Sequence, residues 1–265
     1  MTYQPIIPAT GYVGWRFLTQ TLEAQKTAFV SSAPVQRDSD YFRDNIAKAK
    51  TADDLVADRR LLSVALGAFG LDDDLANTAF IRKVLAEGTL NDEAFANRLT
   101  DKRYADLARE FGFGDLGART GFSFFADEIL ARYEDRQFER AVGAADGNMR
   151  LALSVADGLA DVVAASPNSN AQWFGVMGNP PLRKVVETAL GFPSAFGAID
   201  LDQQLVAFQD RAEATFGTAN LAEIAADPAI QEKMIRLFLV RAEAASSTAF
   251  SSGNTALALL RASQR

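Results

Sequence analysis

The run Asp72-Asp73-Asp74, set within VADRRLLSVALGAFGLDDDLANTAFIRKVLAEG, places three carboxylates side by side. Two chemistries are open to such a run: ligation of a hard divalent cation through oxygen, or capture of the free N–H groups that begin a helix. An EF-hand loop counted from Asp72 has Asp74 at its third position, but Ala76, Asn77 and Lys83 stand at the fifth, sixth and twelfth. Calcium needs an oxygen ligand, a glycine and a bidentate glutamate there. Lys83 would set a positive charge against the cation. The expectation is that one aspartate caps a helix over 75–86 while the others complement its positive end. Asp200 and Gln203 read alike, as a capping-box-like pair ahead of Leu205, Val206 and Phe208.

Gly112, Gly114 and Gly117 in GFGDLG satisfy the glycine spacing of a dinucleotide fingerprint. That fingerprint requires a strand before it and a helix opening within it. The stretch YADLAREF that precedes it has helical character instead, so the glycines are read as a helix end followed by a loop. Phe122, Phe124 and Phe125 in GFSFF could form an exposed docking patch. They are expected to anchor the start of the next helix against the core, and Trp173, Phe174 and Met177 before Asn179-Pro180-Pro181 receive the same reading. A carboxylate-only hydrolase needs two acids facing one cleft. With 34 acidic residues no pair stands out, and no catalytic, cofactor-binding or metal-ligating residue is nominated.

Composition removes further classes. The 265 residues contain no histidine and no cysteine, so imidazole catalysis, imidazole metal ligation, thiolate nucleophiles, disulfides and iron–sulfur clusters are excluded. A net charge of −7 argues against a nucleic-acid footprint. No stretch approaches the length of an apolar membrane span, and the N-terminus MTYQPIIPATGYVGW lacks the basic start of a cleaved signal. The expected location is the cytoplasm, or export without a cleaved signal. No cofactor is expected.

The elements that carry these residues read as helices. Thr51 to Asp54 form a capping-box start to one helix carrying Leu55, Leu62, Leu66 and Phe69. Asn91-Asp92-Glu93 begin another, with Phe95, Leu99, Tyr104, Leu107 and Phe111. Asp227-Pro228 begin a third, through Ile230, Met234, Leu237 and Phe238. No run alternates with period two. The chain also echoes itself: Ala65-Leu66-Gly67 resembles Ala189-Leu190-Gly191, and Tyr41-Phe42 resembles Trp173-Phe174. The expected fold is all-α and multihelical, with two divergent, similar helical halves packed together. The first covers 1–120, including an extended segment 1–35; the second covers 121–265 with its linking helices. Arg59, Arg60, Arg150 and Arg183 are candidates to bridge helices, because the guanidinium fork makes several donor contacts at once.

Several stretches together resemble one family: GWRFL (14–18), YFRDNI (41–46), ADRRLL (57–62), VALGAFGL (64–71), FER (138–140), MRLAL (149–153) and PPLR (180–183). It is an uncharacterised bacterial domain-of-unknown-function family, often encoded among flagellar genes, some of whose members carry the label of flagellar basal-body rod protein. The resemblance implies a helical fold of two similar halves, no catalytic motif, and a non-enzymatic role in flagellar accessory or assembly work through protein partners. The alternative is a small-ligand-binding protein or a carboxylate-dependent enzyme with a cleft between the halves. A coiled-coil rod role would need terminal heptads. Phe17, Leu18, Leu22 and Phe29 at one end, and Leu257, Leu259 and Leu260 at the other, do not sustain three.

Overall fold

A single aspartate sets the architecture of the first helical run. The computed structural model describes residues 3–262, with side chains for 3–246. In it Asp58 is extended (φ −95°, ψ 99°), which ends helix α3 (Ala52–Ala57). Its carboxylate then accepts from the Arg60 and Leu61 amides and starts helix α4 (Arg59–Ala68). The one helix expected here is therefore two, because a residue in cap geometry is non-helical and cannot continue the helix before it. The box ahead of α3 forms as expected: the Asp54 amide donates to Thr51 Oγ1 at 3.1 Å, and the Thr51 amide donates to Asp54 Oδ2 at 3.0 Å. The run from Asn91 breaks likewise. Helix α6 (Phe95–Arg98) stops at Leu99, which is extended (ψ 142°), and helix α7 (Arg103–Phe111) follows.

The protein is all-α. Fifteen α-helices and no strand occur among the described residues. The remaining helices are α1 (Gly11–Val30), α2 (Ala33–Asn45), α5 (Thr78–Glu87), α8 (Phe125–Ala145), α9 (Gly147–Leu153) and α10 (Val155–Ala165). They continue with α11 (Ser169–Gly178), α12 (Pro180–Leu190), α13 (Leu201–Phe216), α14 (Leu221–Ala226) and α15 (Pro228–Ala262). They form two compact units: residues up to 6 with 21–142, and residues 7–20 with 143 onward. Helix α1 thus contributes residues to both.

In the first unit Phe42, Ile46, Leu55, Leu62 and Leu66 are buried at the centre, and Phe111 meets Phe125 edge to face at 5.1 Å. Each such side chain contributes about 1.5–3 kcal/mol by leaving water. In the second unit Trp173 stacks on Phe208 at 5.6 Å, and its indole N–H donates to the Ala219 carbonyl at 3.0 Å, so a large apolar ring is buried without an orphaned donor. Asp227 and Pro228 start α15 as expected, Asp227 accepting from the Ala229 amide. Glu232 on α15 receives the Tyr12 hydroxyl at 2.8 Å and the Trp15 indole N–H at 3.1 Å. That contact fixes residues 11–18 of α1, where Leu18 is buried. Leu257, Leu259 and Leu260 lie outside the described side chains.

The internal echo is partly a coincidence of letters. Gly67 lies inside α4, where a Cβ would stand 2.9 Å from the Tyr133 ring. Gly191 ends α12 in the left-handed conformation (φ 76°). One glycine admits a neighbouring ring and the other terminates a helix.

Candidate functional site

In the first unit a recess of about 480 Å³ lies between the end of α2 and the start of α4. Asn45 comes from α2, Lys48 from the short 3₁₀ turn after it, Ala49 from the extended residue that ends that turn, Asp54 and Ala57 from α3, and Asp58 to Leu61 from the α3–α4 junction. The Tyr41 hydroxyl donates to Asp58 Oδ2 at 2.7 Å, and the Arg60 guanidinium lies 3.8 Å over the Tyr41 ring. YFRDNI and ADRRLL, distinct in sequence, are thereby joined at one wall. Sequence reasoning did not foresee this pairing, since nothing in either stretch marks the other as its partner.

Both carboxylates in the recess are engaged. Hydrogen bonds from the Lys50 amide, the Thr51 side chain and the Thr51 amide hold Asp54 below the ordinary carboxylate value. Burial pushes Asp58 upward, but the Tyr41 hydroxyl, the Leu61 and Arg60 amides and the Arg60 charge outweigh it and leave its carboxyl lowered. The Asp58 hydrogen bond raises the Tyr41 phenol in turn. Two carboxylates ionised well below neutrality supply neither a proton donor nor a strong base at pH 7. The free valence of the recess is cationic. Arg59 makes no ion pair or side-chain hydrogen bond among the described residues, and Lys48 donates to the Asn45 amide oxygen at 2.7 Å. Such a wall offers cations to a bound group.

The aspartate triplet caps nothing. Residues 72–76 form a 3₁₀ turn, and α5 begins only at Thr78, with no side-chain cap from Asn77. Asp72 Oδ1 instead accepts from Gln137 Nε2 and Arg140 Nη1 on α8, both at 2.7 Å. Asp74 accepts from the Tyr104 hydroxyl on α7 at 2.6 Å and from Asn77 at 2.7 Å. Burial, together with the Asp74 bond, lifts the Tyr104 phenol to about 12. The expected cap is corrected to an inter-helix clasp, because tertiary donors reach the carboxylates before the α-helix starts. No group of three or more potential ligand residues placed to hold a metal ion occurs among the described residues.

Asp200 does cap α13, accepting from the Asp202 and Gln203 amides. The glycine loop ends α7, with Gly112 left-handed (φ 69°) as the reading of a helix end requires. Its Asp115 then accepts from the Thr89 and Leu90 amides at 2.6 and 2.9 Å and from the Thr89 hydroxyl. The loop holds the turn after α5. The GFSFF aromatics divide: Phe125 is buried, while Phe122 and Phe124 are 54% and 48% exposed and stack in parallel at 5.5 Å. The core reading fails for those two, since only Phe125 faces Phe111.

Of the four arginines, Arg183 bridges helices most fully, donating to Glu187, to Gln204 on α13 at 2.6 Å and to the Met177 carbonyl of α11. Arg60 reaches the Arg37 carbonyl on α2 at 3.1 Å but stays about half exposed. Arg59 and Arg150 are exposed. In the second unit a smaller recess of about 280 Å³ is lined by Thr10, Asp146, Asn148, Glu243 and neighbours. There Thr10 donates to Glu243 at 3.0 Å, and the Asp146 carboxylate caps α9.

The model of a family described as a protein of unknown function (DUF1217) matches residues 68–228. The X-ray crystal structure of a protein from Agrobacterium tumefaciens is similar over 91% of this chain and 98% of its own, with 27% sequence identity and a TM-score of 0.72. No protein of curated function matches. No described helix is long and apolar enough to cross a membrane.

Proposed function

The chain belongs to the DUF1217 family of proteins of unknown function, and we propose that it is a non-enzymatic accessory or assembly protein of the flagellum that works by binding other proteins. The observation that carries the non-enzymatic part is the commitment of the carboxylates. In a chain without histidine or cysteine they are the main candidates for proton transfer, and Asp54 and Asp58 in the larger recess are bound to backbone amides and ionised far below neutral pH. The exposed Phe122–Phe124 pair supports the binding part, because solvent-facing aromatic pairs are poor for solubility and good for interfaces. The flagellar part rests on the ordered set of motifs from GWRFL to PPLR. A clean in-frame deletion tests it: reduced motility or fewer filaments, restored by the gene in trans, is the expected result. Unchanged motility and filament number would remove the flagellar assignment.

A further inference from the structure

We draw no further inference here: the strongest candidate, the exposed Phe122–Phe124 pair that leads into α8 in the first unit, has charges of both signs beside it, Lys50 next to Gly121 and Asp127 with Glu128 in the first turn of α8, and nothing in the structure shows what covers it.

Discussion

The Tyr41 hydroxyl and two helix-starting amides converge on one carboxylate: Tyr41 donates to Asp58 Oδ2, while Asp58 Oδ1 takes the Arg60 and Leu61 amides at 2.9 and 3.1 Å. Asp58→Ala should therefore lose a cap and a tertiary bond together, about 1–3 kcal/mol by urea unfolding. Asp58→Asn keeps an accepting oxygen for the cap and should lose less. Tyr41→Phe, which removes only the hydroxyl and leaves the cap intact, should lose less than Asp58→Ala. Equal stability of Asp58→Ala and wild type would show that the junction is held by packing alone.

The same carboxylates set a pH dependence. Asp54 and Asp58 have folded values below the ordinary 3.8. Their stabilisation is present above pH 3.8 and is lost as pH falls through their lowered folded values. Glu134 on α8 is opposite in sign: burial raises it above 4.5, against the bond from Ser39. The folded state then holds the proton more tightly, so the favourable contribution is present below 4.5 and disappears as pH rises through the raised value. Glu134→Gln should stabilise the protein at pH 7 and change little at pH 4, since the amide can still accept from Ser39. A pH series of urea midpoints for wild type and variant checks this, and a variant equally or less stable at pH 7 would refute it.

Asp72 and Asp74 bind donors on α8 and α7, whereas Asp73 makes no side-chain bond among the described residues. Asp72→Ala and Asp74→Ala should each cost about 0.5–1.5 kcal/mol, and Asp73→Ala should stay within about 0.5 kcal/mol. Millimolar Ca²⁺ should move the melting temperature no further than matched ionic strength does, because binding to the folded state would raise it by mass action. A rise that chelator reverses would restore the metal reading.

Local chemistry was legible in the sequence and tertiary chemistry was not. The Thr51–Asp54 box, the Asp200 and Asp227 caps and the Gly112 helix end depend on residues within a few positions of one another, and each was read from spacing. The breaks at Asp58 and Leu99 were missed because the apolar period runs on across them while the backbone turns. The partners of Asp72 lie 65 and 68 residues away, and no local signal carries that distance. The exposure of Phe122 and Phe124 was weighed and set aside for the core reading, since phenylalanines one and three positions from the buried Phe125 have the same letter and the opposite environment.

The glycines of GFGDLG supply the last prediction, because their spacing suggested a cofactor and their geometry gives another reason. A Cβ on Gly114 would overlap the Gly88 amide nitrogen, the Ala86 carbonyl oxygen and the Glu87 carbonyl carbon, all backbone atoms that cannot swing aside. The loop lies directly on the end of α5, and Asp115 beside it fastens the Thr89 and Leu90 amides. Gly114→Ala should thus push two backbone segments apart and loosen the Asp115 bonds, costing about 1–3 kcal/mol or more. Gly147, the first residue of α9, has nothing within 4 Å of its would-be Cβ and no positive φ. Gly147→Ala should be neutral or stabilising by up to about 1 kcal/mol, through the smaller entropy of its unfolded chain. Chemical denaturation of the two variants separates steric contact from a general dislike of change at glycine. If Gly114→Ala unfolds at the wild-type midpoint, the close approach of the loop to α5 is not what this glycine serves.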